Sequence, residues 1–277
     1  MICYPNVKIN LGLNVLSKRP DGFHNLETLF VPYPGITDTL EVIAGDDYSR
    51  TLASLRERYT SLSQAISEDG KLMITLARRE GIDWDPLKDL TAKAYALLAA
   101  QYDLPPMKIY LEKRAPVGAG LGGGSADAAF ALKAIAQLAG LALTDDELAG
   151  YAARLGSDCA FFIYNRPMFG SGRGEVLAPF DLDLSAYKIE VVIPEGIAVS
   201  TADAYRGIVP RQPEVPLKDV LCQPVASWKQ SLKNDFEETV FARYPALASY
   251  KEALYARGAT YAAMSGSGSA LFGLFAR

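Results

Sequence analysis

The sequence predicts an α+β chain. Strand-period stretches recur along it, helical stretches with their own start and stop signals lie between them, and a glycine-rich loop joins one strand to one helix. Residues 7–15, Val7-Lys8-Ile9-Asn10-Leu11-Gly12-Leu13-Asn14-Val15, alternate apolar and polar. Successive strand side chains point to opposite faces, so Lys8, Asn10, Gly12 and Asn14 share one face. By alternation alone that face is solvated. Shorter strand-type runs occupy 39–43, 72–76, 107–113 and 189–194.

The helical stretches carry punctuation. Residues 85–100 read as one helix, with Asp89 an acid suited to the first turn. Thr144 and Glu147 form a capping box, which predicts a helix to Leu155 that stops at Gly156. Residues 245–258 have Pro245 at the start and Gly258 at the end. Between 46 and 69, Leu52, Leu55, Tyr59, Leu62 and Ile66 recur at helical spacing, which predicts an amphipathic helix or ordered insertion, packing rather than gating. Pro210 to Pro224 reads as loop.

The organising stretch is 116–126, Pro116-Val117-Gly118-Ala119-Gly120-Leu121-Gly122-Gly123-Gly124-Ser125-Ala126, with five glycines in seven residues. A strand precedes it and a run of good helix formers follows. Glycine permits positive φ and close approach, and unpaired N–H groups at a helix start favour an anion. Ser125 stands where a hydroxyl caps the helix or reaches a phosphate or its metal. A Walker loop needs Lys before the hydroxyl, and Gly124 stands there. G-x-G-x-x-G matches at Gly118, Gly120 and Gly123, but a dinucleotide fold needs an early βαβ unit that the pattern lacks. A flexible turn is the plain alternative; the strand–loop–helix order favours phosphate.

The chain has 277 residues, 49% hydrophobic and 22% charged, with net charge −4. The acidic balance argues against a nucleic-acid or membrane-surface binder. Three cysteines without metal spacing and one histidine exclude a Cys/His zinc site and fit reduced thiols in the cytoplasm. No apolar run is long enough to span a bilayer. Pro20-Asp21-Gly22 is a turn that delivers Phe23 and His24 side by side. A lone His is ordinarily a surface group, and an Asp after a helix, as Asp158 is, is ordinarily a cap.

These stretches together resemble a known family. Pro116, Gly120-Leu121-Gly122 and Ser125-Ala126 are spaced as in the phosphate loop of the GHMP kinases, named for galactokinase, homoserine kinase, mevalonate kinase and phosphomevalonate kinase. The fuller run through Asp127-Ala128-Ala129, with Arg19-Pro20-Asp21-Gly22-Phe23-His24, is similar to the 4-diphosphocytidyl-2-C-methyl-D-erythritol kinases of that family. The resemblance covers nearly the whole chain, from Pro5 to Phe275. It implies two halves: 1–165, a ribosomal protein S5 domain 2-like half with the phosphate loop 116–126, and 166–277, a ferredoxin-like half with a four-stranded sheet.

The resemblance also implies the chemistry. ATP phosphates would meet Pro116, Gly118, Gly120, Leu121, Gly122, Gly123, Gly124, Ser125 and Ala126, with Mg²⁺ bridging them and Ser125 a candidate contact to the metal. Asp158, in Gly156-Ser157-Asp158-Cys159-Ala160-Phe161-Phe162, would be the general base and Lys8 the charge stabiliser. Asn10, Phe23, His24 and Gly172 would hold a small-molecule substrate. Phe23 replaces the family's usual Tyr, which keeps a stacking face and loses a phenol hydrogen bond. Asp89 stands where the family has an Asn near the adenine, and Met264-Ser265-Gly266-Ser267-Gly268-Ser269 resembles a loop that buttresses the phosphate loop. No nucleic acid or membrane partner is expected, and the chain is expected to be a monomer or weak homodimer. A related kinase for another acceptor, a ligand sensor on the same fold and a structural partner protein stand as alternatives.

Overall fold

The computed structural model describes residues 1–277. Strands β1 (Ile2–Cys3), β2 (Asn6–Lys18), β3 (His24–Thr37) and β4 (Thr39–Ala44) open the chain. Helix α1 (Leu52–Arg58), strands β5 (Ser63–Ile66) and β6 (Leu72–Arg78) and helix α2 (Leu90–Ala99) follow. Strand β7 (Met107–Lys113) leads to helices α3 (Gly123–Leu138), α4 (Asp145–Leu155) and α5 (Cys159–Tyr164). Next come β8 (Met168–Ser171), β9 (Val176–Pro179) and β10 (Tyr187–Val192). Helices α6 (Thr201–Tyr205), α7 (Leu217–Leu221), α8 (Trp228–Ser231), α9 (Phe236–Arg243) and α10 (Pro245–Ala256) precede the closing strands β11 (Tyr261–Met264) and β12 (Leu271–Ala276).

The chain divides into two compact units. The first holds Met1–Val7, Pro34–Ala115 and Gly122–Asn165; the second holds Lys8–Tyr33, Pro116–Leu121 and Arg166–Arg277. The chain's last passage from one to the other falls between Asn165 and Arg166. Two earlier segments, 8–33 and 116–121, belong to the second unit as well.

In the first unit a five-stranded sheet runs β1-β4-β7-β6-β5, with β6 and β7 parallel. Helices α2 and α3 pack along each other. Helix α3 buries Ala126, Ala128, Ala129, Ala131, Ala134 and Ala136, so its neighbours approach closely while its sequence keeps high helix propensity. The capping box of α4 forms as expected: the Thr144 hydroxyl accepts from Glu147 N–H at 3.2 Å, and the Glu147 carboxylate accepts from Thr144 N–H at 2.8 Å. Asp89 is the N-cap of α2 and accepts from Thr91 N–H at 2.9 Å. The stretch from 85 is therefore a short 3₁₀ turn, Pro86–Lys88, followed by a separately capped helix.

The insertion departs from the single helix its spacing predicts. Only Leu52–Arg58 is helical; Tyr59 is already extended, and Ser63–Ile66 pairs antiparallel with β6. The misleading periodicity has a packing cause. Leu52, Tyr59 and Leu62 all pack on one cluster of Ile43, Leu55, Ala77 and Tyr110, reached partly from helix and partly from extended chain. Ile66 faces solvent.

In the second unit β2, β3, β8 and β9 form a four-stranded sheet in that order, and β10, β12 and β11 form a three-stranded one. The C-terminal half thus contributes a three-stranded sheet of its own where a four-stranded one was expected, and its β8 and β9 join β2 and β3 instead. Residues 210–224, read from the sequence as loop, also form the short helix α7. A core of Leu13, Val15, Phe236, Val240, Leu254, Met264 and Leu271 ties β2 to α9, α10 and the closing strands. No helix is long and apolar enough to cross a membrane.

Candidate active site

The glycine loop is built from left-handed backbone. Gly118, Gly120 and Gly122 have φ of +73°, +75° and +71°. Gly122 is the N-cap of α3, so the N–H groups of Gly123, Gly124 and Ser125 begin a 16-residue helix. Such N–H groups have no partner within the helix, and the helix dipole adds partial positive charge there. Ser125 is therefore not the cap that the sequence allowed. It is the third helical residue, and its hydroxyl lies at the same corner as the Cys159 thiol, beside Gly156.

The glycines are not equivalent. A Cβ on Gly118 would meet nothing within 4 Å, and one on Gly124 would lie 3.8 Å from Leu90. On Gly120 it would fall 2.2 Å from the Ser265 carbonyl oxygen, and on Gly123 3.0 Å from Ala115 Cβ. Gly120→Ala therefore combines a disfavoured φ, worth about 1–2 kcal/mol, with a backbone clash that has nowhere to relax. The expected result is a fall in unfolding free energy of about 2 kcal/mol or more by urea titration. An unchanged urea midpoint would contradict this packing role.

Behind the helix start, β7 delivers Lys113 into a buried polar cluster. Its Nζ donates to Asp38 Oδ2 and Asp127 Oδ2, both at 2.5 Å. Asp38 also accepts from the N–H groups of Arg114 and Ala115, at 2.5 and 2.7 Å, which pins the chain just before the glycine loop. Asp127 sits on α3, and its Oδ1 is buried without a hydrogen-bond partner. One lysine cannot fully compensate two buried carboxylates. Burial pushes the Asp127 carboxyl well above its ordinary range, and the Lys113 ammonium opposes that shift.

Asp158 lies at the α4–α5 corner. It is the N-cap residue of α5, but its side chain makes no capping bond, so the ordinary helix-end role does not account for it. The corner is tight: a Cβ on Gly156 would come 3.2 Å from Cys159 Sγ and 4.0 Å from Ser125 Oγ. Asp158 is thus one residue from the thiol that shares this corner with Ser125 at the start of α3. Burial pushes the Cys159 thiol up to about 12, so it is a packing residue and not a nucleophile.

In the second unit the polar face of β2 is not solvated. Lys8 and Asn10 are each 3% exposed. Lys8 Nζ donates to Asn10 Oδ1 at 2.5 Å and to the Gly120 carbonyl at 2.9 Å, and lies 5.5 Å from the centre of the Phe30 ring. Asn10 Nδ2 donates to Thr28 Oγ1 at 2.9 Å, and Thr28 donates in turn to the Gly12 carbonyl at 2.6 Å. The Ser265 hydroxyl donates to the Gly120 carbonyl at 3.0 Å, and Ala270 N–H donates to the Ala119 carbonyl at 3.1 Å. The 265–269 loop therefore braces the first half of the glycine loop. Asn234 holds that brace by donating to the Met264 and Gly266 carbonyls, both at 2.8 Å.

Phe23 and His24 emerge from the predicted turn. Phe23 is 53% exposed and offers a ring face to solvent. His24 stacks on Tyr205 with ring centres 4.7 Å apart, and Tyr205 meets Phe236 edge-on. Burial and Lys18 hold the His24 imidazole below its ordinary value, so it is neutral at pH 7, with one donor and one acceptor nitrogen. The carbonyl of Gly172 accepts from Leu26 N–H at 2.7 Å and so ties the β8–β9 turn to this segment. Tyr205 lies so far along the chain from His24 that no local spacing links the two rings.

Comparison with known proteins decides the family. The GHMP kinases N terminal domain family matches residues 89–166, and the GHMP kinases C terminal family matches 223–277. The chain is 47% identical over 275 residues to a 4-diphosphocytidyl-2-C-methyl-D-erythritol kinase of Bacteroides fragilis, covering 99% of this chain and 92% of that one. A protein of the same name from Parabacteroides distasonis is 46% identical, with the same coverage. The chain belongs to the 4-diphosphocytidyl-2-C-methyl-D-erythritol kinase family. It is an ATP-dependent small-molecule kinase of the GHMP type.

A crystal structure of a 4-(cytidine 5'-diphospho)-2C-methyl-D-erythritol kinase is 31% identical with a TM-score of 0.76, covering 99% of this chain and 90% of that one. A homoserine kinase from Cytophaga hutchinsonii, at 17% identity and TM-score 0.65 over 98% and 85% of the two chains, shares the fold. The α+β GHMP kinase reading is therefore upheld. In this kinase the start of α3 and Asp158 lie in the first unit, and Lys8, Phe23 and His24 lie in the second.

Proposed function

We propose that the chain transfers the γ-phosphoryl group of ATP to the 2-hydroxyl of 4-diphosphocytidyl-2-C-methyl-D-erythritol. The observation that carries this reading is the exposed Phe23 beside the neutral, stacked His24. An aromatic face and an imidazole edge suit a planar base with hydrogen-bonding groups on its rim, which homoserine and mevalonate lack. Whole-chain identity to relatives of that name supports it.

The residues divide the work. The N–H groups of Gly123, Gly124 and Ser125 would receive ATP phosphate oxygens, with Pro116 to Ala126 forming the loop around them. Asp158 would accept the proton of the 2-hydroxyl as its oxygen bonds to phosphorus and the bond to ADP breaks. Lys8 would offset charge on the moving group, and Asn10 fixes its ammonium. Gly172 would lie along the substrate at the turn beside Phe23. The donor set near α3 fits a metal carried in with a nucleotide rather than a resident one: Ser125 offers a single neutral oxygen, and no cluster of three His, Cys, Asp or Glu side chains could hold an ion. Mg²⁺ bound there by Ser125 and phosphate would neutralise charge. The free thiols of Cys3, Cys159 and Cys222 suit a reducing cytoplasm, where we place the chain as a monomer or weak homodimer.

An acceptor panel tests the substrate. With ATP and Mg²⁺, phosphate should appear on the cytidyl compound and not on homoserine or mevalonate. Preference for either of the latter would overturn the assignment.

A further inference from the structure

We infer that Arg173 is a specificity-determining positioning residue, which holds the Phe23 ring as a preformed platform for the substrate's nucleobase. The inference rests on the proposed substrate class and names a residue that class does not by itself require. The Arg173 guanidinium lies 4.8 Å from the centre of the Phe23 ring and covers one of its faces. The ring is otherwise half exposed. A cation on an aromatic face is attracted to the ring quadrupole, and this fixes the ring without blocking its second face.

Arg173 is itself held. Its N–H donates to Glu175 Oε2 at 2.5 Å, and its Nε donates to Glu175 Oε1 at 3.4 Å. The turn that carries it is fastened by Leu26 N–H on the Gly172 carbonyl. Gly172 has φ +68°, which disfavours any side chain, and a Cβ there would crowd Glu175 Oε2 at 3.0 Å. On the other side, Asp21 Oδ1 accepts from Phe23 N–H at 3.1 Å, while Arg19 pairs with Asp21. Backbone and ring of Phe23 are therefore held from separate elements.

The gain is preorganisation. An exposed phenylalanine loses rotamer freedom when a base stacks on it, and that loss subtracts from affinity. A ring already fixed by Arg173 avoids much of it. The benefit falls on binding of the nucleotide end and not on the chemical step.

The test is a double-substitution cycle of Arg173→Met and Phe23→Leu, read as KM for the cytidyl substrate, KM for ATP, and kcat. Arg173→Met should raise the cytidyl KM about two- to fivefold, with kcat and ATP KM unchanged within about twofold. Arg173→Lys should recover part of the loss. In the Phe23→Leu background, Arg173→Met should have no further effect. An equal rise in both backgrounds, or a fall in kcat with unchanged KM, would overturn the inference. If the wild type does not turn over the cytidyl compound, the proposed function falls by itself. The same cycle read by calorimetric titration with CDP then decides the platform: coupling between the two positions sustains it, and additivity or absence of binding ends it.

Discussion

Asp158→Asn is expected to lower kcat by about 10²–10⁴-fold, the usual worth of a positioned general base. The substitution keeps shape and removes the proton-accepting charge. The amide is nearly isosteric with the carboxylate, and urea unfolding of the variant checks that the fold is kept. In phosphoryl transfer with a loose transition state the hydroxyl proton leaves late, which favours the lower end of that range. ADP release under saturating ATP reads the result, and the ATP KM should stay near the wild-type value. A variant with wild-type kcat would remove Asp158 from the proton-accepting role, and a variant that unfolds would give it a structural one.

Lys113→Met is expected to destabilise the fold by about 3–5 kcal/mol, because it strands two buried carboxylates. The site is unforgiving: Lys113, Asp38 and Asp127 are all buried, and the lysine bridges both acids. Urea unfolding should show the loss, and Asp127→Asn in the same chain should recover part of it. Asp127→Asn alone has a pH signature. The carboxyl's folded value is raised above its ordinary 3.8, so its contribution to stability is complete below that pH and is lost as pH rises through the folded value. Replacing it should flatten the stability profile across that window. A lysine variant as stable as the wild type would show that the cluster does not hold β7 to α3.

The sequence displayed features that are local along the chain. The glycine loop, the capping box of α4 and the turn before Phe23 each depend on residues within a few positions, and all formed. Contacts between distant residues were not legible. Asp127 stands inside the glycine-loop run, but its partner Lys113 is 14 residues earlier and Asp38 lies 75 residues from Lys113. Nothing in the spacing of these three announces a shared cluster. Alternation along β2 showed which residues share a face but not that the polar face would be covered, since that depends on the 265–269 loop arriving at Gly120. The insertion misled for the opposite reason. Tyr59 and Leu62 mimic a helical stripe because the same sheet surface receives them from extended chain.

The most direct test of the central claim supplies purified chain with ATP, Mg²⁺ and 4-diphosphocytidyl-2-C-methyl-D-erythritol, and follows ADP release with phosphorus NMR of the product. The account predicts ADP in step with a new phosphomonoester on the 2-hydroxyl, and neither without the acceptor. ATP binding without acceptor phosphorylation, or phosphate on a different oxygen, would contradict it.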